Sequence, residues 1–504
     1  MTSRISPSDP QLVPRWLVAS LLLLIAGLFL GRNLPWHLDD YDQAKQAFVS
    51  FEMLETQQWW FQHTPSGKIA TKPPLAGWIS AGCSWILGGS SLPLAWPLAW
   101  RIPSLLSSTL LLALLWKWGS RLSLNPLGAI AAISAFALTV FTPRLASLVR
   151  TDMLLTASIV SAGLVILKNV GSGAPWTSRD RWLLFTALLA SMLLKGPIAL
   201  AFLLPGLTAY ALLTRKFRLP NHSWSGAWPW YIPLLLFALW ACLGISFNPE
   251  FYEQVVHREF LGRFQTGQNA VHQPRNPFFY AGLIALRWQP WSCILALLLS
   301  VKTVRNRFKE DPALLWLACW TLGGLLCMSL IPSKRFDRIL PALPPLCLLI
   351  TRMARFLPKD RFPLLKVRKW TLCAIALSAT LSSVYCIEKI RWSFLHHQGA
   401  LARFGATALS LAPSPSEIAV IRGGDEGLLL YTHQTHFLSE DQTARAWNEG
   451  KVSVVLLPSR VAEKMARLLP GSEKVAATGR IPEKTSSYVL LRRSSPSVPT
   501  MPRE

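Results

Sequence analysis

Residues 313–330 read ALLWLACWTLGGLLCMSL, an unbroken stretch without one charged side chain. A helix of that length rises ~27 Å, close to the ~30 Å hydrocarbon core of a bilayer. Similar runs recur at Trp16–Leu30, Ser104–Leu115 and Leu283–Ser300. In hydrocarbon each backbone N–H and C=O must be satisfied inside the segment, so these runs are read as helices. Composition agrees: of 504 residues 51% are hydrophobic and only 15% charged, where soluble domains carry roughly 25% charged residues. Mean hydropathy is +0.32. The chain is therefore read as a polytopic all-α membrane protein.

Eleven spanning segments are expected, near 15–31, 97–116, 127–142, 152–167, 181–194, 197–213, 228–247, 278–300, 311–331, 339–357 and 370–388. Arg4 and Arg15 precede the first apolar run, and no small-x-small cleavage site follows in 31–38, so this run is read as a retained helix. With the N-terminus cytoplasmic, three loops on that side hold Arg215, Lys216 and Arg218; Lys302, Arg305, Arg307 and Lys309; and Lys359, Arg361, Lys366, Arg368 and Lys369. That basic excess sets the orientation. It also accounts for much of the net charge of +25, so nucleic-acid binding is not inferred. Segment 73–88, with Pro73, Pro74, Trp78 and Trp85, is assigned to the membrane interface. A further crossing there would invert every downstream basic loop.

Residues 1–390 are thus expected to form the transmembrane domain, with a first outward loop at 32–96. Beyond it, Glu417–Arg422, Val452–Leu457 and Ser487–Leu491 read as short strands and Val461–Leu469 as a helix. They predict a small extracytoplasmic α/β domain over 391–492, followed by a disordered tail at 493–504. The eight cysteines (83, 242, 293, 319, 327, 347, 373 and 386) sit in or beside apolar runs without a Cys-x-x-Cys pair. They indicate neither disulfides nor a thiolate metal site.

The first outward loop is too long for a simple connector. It carries Asp39, Asp40 and Asp42 and ends in Lys72-Pro73-Pro74. Three carboxylates beside aromatics can act as a base or hold a divalent cation; equally, they form an acidic turn with Asp42 capping a helix. The other outward loops carry Arg150-Thr151-Asp152, Lys195-Gly196-Pro197, then His257, Arg258, Glu259, Arg263, His272 and Arg275, then Ser333-Lys334-Arg335-Phe336-Asp337-Arg338. Cations there run against the positive-inside bias, and ionisable groups at membrane depth are usually functional. One carboxylate and several cations suit transfer of a sugar from a lipid phosphate. The carboxylate takes the acceptor's proton, and Lys or Arg meets the charge developing on the leaving phosphate.

These motifs, in this order, resemble the dolichyl-phosphate-mannose–protein mannosyltransferases and the bacterial lipid A aminoarabinose transferases of the glycosyltransferase C superfamily. The matching residues are Glu52-Met53, Trp59, Lys72-Pro73-Pro74, Arg150-Thr151-Asp152, Lys195-Gly196-Pro197, Arg263-Phe264 with His272 and Pro274, Pro290-Trp291, and Ser333-Lys334-Arg335 before Leu340-Pro341. Spacing back from Glu52-Met53 puts Asp42 on the family's catalytic aspartate. The resemblance implies Asp42 as base and Asp152 as a second carboxylate. Lys72, Lys195, Arg263, Lys334 and Arg335 become donor-phosphate contacts, with Asp39, Asp40, His272 and Arg338 as further contacts. The implied partners are a polyprenyl-phosphate sugar and a lipid, glycan or protein acceptor, in a plasma (inner) membrane.

Three departures stand out. Gln43 replaces the family's Glu, which weakens the case for a bound divalent cation. Gln46 and Arg338 replace aromatics, so sugar and acceptor are not carried over. A transporter or flippase of a lipid-linked sugar would explain helices and cations, yet it needs no carboxylate-bearing outward loop. A non-catalytic scaffold would not concentrate ionisable groups at the membrane edge.

Overall fold

The computed structural model describes residues 13–87, 95–123, 126–172, 175–215, 226–263, 275–396, 399–423, 425–478 and 487–494. His272, Phe264, Pro274, the Arg263 side chain, Lys216, Arg218 and the tail from 495 onward lie outside them. The chain divides into two compact units. One comprises Met1–Asn33, Thr71–Ala76 and Arg101–Lys389; the other comprises Leu34–Ala70, Gly77–Trp100 and Ile390–Glu504.

The first unit is helical. Among the described residues, five stretches are long and apolar enough to cross a membrane unaided: Pro97–Ser123, Asp152–Gly171, Trp228–Phe247, Pro312–Leu330 and the stretch beginning at Leu364. Apolar but shorter are Arg15–Gly31, Pro126–Ala137 and Ile198–Thr214, and, mostly within the second unit, Leu75–Ile86. Where a crossing is expected at 278–300 the chain forms two helices, Phe279–Arg287 and Trp291–Ser300, bent by 105°. Pro290 supplies the cause, since it has no N–H to donate and its ring collides with the preceding turn. The break is pinned from both sides: Trp288 Nε1 donates to the Ala135 carbonyl at 2.7 Å. Trp291 Nε1 donates to Ser378 Oγ at 2.9 Å.

At the centre of this unit helix Pro312–Leu330 packs against Asp152–Ser172 and Ile198–Thr214. Lipid offers no hydrophobic drive for helix association, so close approach between small residues must supply it. A Cβ on Gly323 would stand 2.5 Å from the Gly206 nitrogen, and one on Gly206 2.7 Å from the Trp320 Cα. A Cβ on Gly163 would meet the Trp320 ring at 2.2 Å, and Trp316 Nε1 donates to the Gly163 carbonyl at 3.2 Å. Three glycines thus admit two stacked indoles into the seam between the helices.

The second unit holds a four-stranded sheet in the order β1-β2-β4-β3. Its strands are β1 (Ile418–Val420), β2 (Val454–Pro458), β3 (Ser472–Ala477) and β4 (Tyr488–Arg493). β1 and β2 are parallel; β4 runs antiparallel to β2 and β3. The fully buried runs of β1 and β2 are those read from sequence, whereas the edge strand β3, exposed along most of its length, was not read. Its helices include Tyr41–Thr56 and Ala400–Leu411. Two tethers bind its distant parts: Leu38 N–H donates to Tyr431 Oη at 2.7 Å, and Phe437 N–H to the Pro65 carbonyl at 3.1 Å.

The glycine seam yields a stability test. Gly323→Ala must push a Cβ into the Gly206 backbone and is expected to cost about 1–3 kcal/mol by overpacking. Gly27→Ala, with nothing within 4 Å of the added carbon, should be neutral. Thermal midpoints of the two variants in detergent separate these outcomes.

Candidate functional site

Within the first unit, residues from four separate stretches converge. Asp152 opens helix Asp152–Ser172, where a carboxylate meets the positive end of the helix dipole. Lys195 closes helix Ser178–Lys195, where a cation is equally favoured. Gly196, at φ 71, turns the chain sharply into helix Ile198–Thr214, a backbone geometry that glycine adopts without strain. Lys195 Nζ lies 3.0 Å from Asp152 Oδ1. Arg150 Nε lies 3.2 Å from Asp152 Oδ2, and its Nη2 reaches Asp337 Oδ2 at 2.7 Å. Arg335 Nε follows at 3.4 Å from Asp337 Oδ1. The result is an alternating row, Lys195–Asp152–Arg150–Asp337–Arg335, with both carboxylates buried.

Lys72 adds positive charge to this row. Burial first, then repulsion from Lys195 and Arg150, lowers its pKa from the usual lysine value to about 8. Asp152 and Glu259 oppose that fall. Beside Lys72 and Lys195 lies a cavity of about 420 Å³, lined mostly by apolar groups including Ile198, Ala201, Phe237, Trp240 and Met328. Part of its wall comes from the π-helix Tyr252–Phe260, which presents Val255, Val256 and Glu259. A cationic end on an apolar cleft can take an anion that carries a hydrocarbon chain.

The other cations of this end are held differently. Lys334 is 4% exposed, and its ammonium donates to the Ile331 carbonyl at 2.8 Å and the Arg275 carbonyl at 3.1 Å. Burial lowers its pKa. Arg338 donates to the carbonyl of Ser333, and to Ser333 Oγ at 3.2 Å. Tyr280 Oη donates to the Arg335 carbonyl at 3.2 Å. These bonds fix the turn from which Arg335 and Asp337 project.

In the second unit, Asp40 and not Asp42 caps helix Tyr41–Thr56. Its Oδ1 accepts from Asp42 N–H at 2.9 Å and from Gln43 N–H at 3.3 Å, while Asp42 sits in the first turn. Two residues separate acceptor from first donor in the capping geometry, so position 40 serves and position 42 does not. Asp39 Oδ2 accepts from Gly399 N–H at 2.6 Å. Glu52 of the Glu-Met pair is buried and accepts from His63 N–H at 3.4 Å. A hydrogen bond that the His63 ring donates to the Glu52 carboxylate raises the pKa of the imidazole. Met53 fills the space where a Cβ on Gly77 would come, 2.5 Å from its Cε. Both residues of that motif therefore brace the loop.

Among the described residues no three His, Cys, Asp or Glu side chains come together to hold a metal ion. Asp152 and Asp337 are already neutralised by Arg and Lys, a poor donor set for a divalent cation. Sequence reasoning did not single out Arg150, Asp337 and Glu259 individually. All three stand inside the motifs that drew attention: Arg150 two positions before Asp152, Asp337 between two arginines, and Glu259 four before Arg263.

No family model matches the sequence. The undecaprenyl phosphate-alpha-4-amino-4-deoxy-L-arabinose arabinosyl transferase of Erwinia tasmaniensis is 25% identical over 358 residues, 71% of this chain and 62% of that protein. The protein of the same name from Pseudomonas paraeruginosa is 28% identical over 337 residues, 66% of this chain and 58% of its own. The chain spans about three fifths of the length of these relatives. The crystal structure of ArnT from Cupriavidus metallidurans bound to undecaprenyl phosphate superposes with a TM-score of 0.70 at 16% identity, over 95% of this chain and 98% of that one. An oligosaccharyltransferase from Archaeoglobus fulgidus gives 0.54 at 13% identity, over 96% and 75%. The resemblance drawn from the ordered motifs holds, and the fold is that of the ArnT structure: a membrane protein of apolar helices with a small sheet.

Removing one partner from a buried ion pair strands the other charge, at a cost of ~3–5 kcal/mol. Asp152→Asn is expected to lower stability on that scale. Asp152→Leu combined with Lys195→Met should recover most of the loss, because Arg150 keeps Asp337. Thermal unfolding of both variants in detergent tests whether the row is held by charge.

Proposed function

We propose that this protein is a glycosyltransferase that moves a sugar from a polyprenyl-phosphate donor to an acceptor hydroxyl on the extracytoplasmic side of the membrane. The observation that carries the reading is the cleft beside Lys72 and Lys195, with ammonium groups at one end and walls that are mostly apolar, Glu259 excepted. A phosphate on a long prenyl chain has that same division. The curated relatives are named for an undecaprenyl-phosphate sugar, and undecaprenyl phosphate is bound in the ArnT crystal structure; both support an undecaprenyl-type carrier here.

In the reaction the acceptor oxygen bonds to the anomeric carbon while the bond from that carbon to the phosphate oxygen breaks. The electron pair leaves on the phosphate, and the acceptor proton passes to a carboxylate. Asp42 is assigned this base by the motif spacing; its place in the first helical turn leaves its carboxylate outside the capping bond that Asp40 makes. Lys72 and Lys195 are assigned to the departing phosphate. Preorganised donors of this kind contribute most when they need not reorganise during the reaction, and the Asp152–Lys195 pair fixes one of them. Arg335 is a further donor contact, with Arg263 and His272 assigned from the resemblance alone. Lys334 and Arg338, whose donors serve carbonyls of the turn, position it. Asp152 acts by orienting Lys195 and Arg150.

We keep eleven crossings, the shorter helices being completed by their flanks, with residues 391–492 as an extracytoplasmic domain. The orientation rests on the basic loops at the helix ends away from Lys195 and Lys334.

Purified protein incubated with polyprenyl-phosphate sugars should release free lipid phosphate in step with transfer. Asp42→Asn should abolish this release with insertion intact; full activity in that variant removes the base assignment. A second expectation concerns pH. The Lys72 ammonium is lost as pH rises through about 8, whereas the second ionisation of a phosphate is complete well below that. Affinity for polyprenyl phosphate should fall about tenfold between pH 7 and 9. Lys72→Arg, charged throughout, should flatten that profile.

A further inference from the structure

A second cavity lies in the same helical unit, toward the opposite ends of the helices. It measures about 170 Å³ and is walled by Ala131, Trp291, Ile294, Leu298, Ile350 and Val367, with Arg355 at its rim. Its hydroxyls are consumed within their own helices. Thr351 Oγ1 donates to the Leu348 carbonyl at 2.7 Å, and Ser123 Oγ to the Gly119 carbonyl at 2.7 Å. The interior is therefore apolar in practice, and an apolar cavity of ~150 Å³ is large enough to take benzene. Arg355 follows the last residue of helix Leu343–Ala354, one turn beyond Arg352. Arg352 is itself held by Asp311, its Nε 3.0 Å from Oδ2. Asp311 caps the start of helix Pro312–Leu330, and Ile331 and the Lys334 turn follow its far end. Nineteen residues of helix put ~28 Å between the two ends.

Cations outnumber carboxylates at the rim. Among the described residues none of Arg355, Lys359, Arg361, Lys366 and Lys369 enters an ion pair, although Asp360 stands in the same segment. Lys366 instead lies over the Trp370 ring at 5.0 Å, and Trp370 also lines the cavity. Phe362 packs edge-on against that ring at 5.9 Å and closes the same wall. A hydrocarbon-sized slot beneath unpaired cations, at the level where helices leave the membrane, matches one ligand chemistry. It is a chain of methylenes ending in a negative headgroup.

We propose that this crevice binds an anionic phospholipid, one acyl chain entering between Ile294, Ile350 and Val367 and the phosphate resting on Arg355 and Lys366. The site is separate from the Lys72–Lys195 cleft and does not depend on the function assigned to that cleft. Bound there, the lipid would hold the connection between helices Leu343–Ala354 and Leu364–Leu395 against the helix Trp291–Ser300.

Native mass spectrometry of the full-length protein, released from micelles containing equal phosphatidylglycerol and phosphatidylcholine, tests this. The expected result is one retained phosphatidylglycerol, favoured at least tenfold over phosphatidylcholine. Arg355→Ala with Lys366→Ala should reduce that preference at least fivefold. Lys302→Ala with Lys309→Ala, which removes the same charge from a neighbouring loop, should leave it unchanged. Ile294→Trp, which fills the slot, should remove the retained lipid while keeping the cations. Equal retention of the two lipids overturns the proposal, as does equal loss in both charge variants, which would mean a diffuse basic surface. Should Ile294→Trp fail to fold, the paired charge variants decide alone.

Discussion

The carboxylate of Asp152 is the constraint on which the functional end of the helical unit depends. It lies where water is scarce, and an isolated charge there would be costly. It is retained because Lys195 and Arg150 approach within about 3 Å from two directions. Each cation is supplied by a helix end or the turn before one, so the ion pairs also set how three helices begin and stop. Arg150 passes the constraint to Asp337 and so to the turn that carries Arg335. One neutralised carboxylate therefore leaves a surplus of positive charge in fixed positions. Such a row differs from a merely basic loop in one respect: its cations are already held in place by folding.

Much of this was legible in the sequence, for a physical reason. Helices that cross a membrane carry their polar residues at their ends, so counting crossings sorts loops onto two sides. Arg-Thr-Asp, Lys-Gly-Pro and Ser-Lys-Arg fell on one side by parity alone, and the structure brings all three together. Distances were beyond that reasoning. Parity puts Asp152 and Lys195 at one level but cannot say that they touch, nor that Lys334 would turn its ammonium inward to two carbonyls while Arg335 stays at the site.

The misreadings are equally instructive. The apolar run at 278–300 concealed a break that Pro290 announces, because hydropathy averages over a residue that local geometry cannot ignore. Three aspartates in four residues give no sign of which one caps the helix; Asp40 does, and Asp42 lies in the first turn instead. Strand β3 escaped notice because an edge strand with an exposed face lacks the apolar run that marks β1 and β2. Glu52-Met53, which serves in the sequence as a spacing marker for Asp42, packs and braces within its own unit.

The glycine seam between the helices beginning at Asp152, Ile198 and Pro312 has a mechanical consequence. Where backbones touch through Gly206 and Gly323, and Gly163 makes room for the Trp320 indole, the three rods cannot spread without opening a void that lipid fills poorly. The seam therefore forms a rigid backstop, and any adjustment between these helices has to come from outside it.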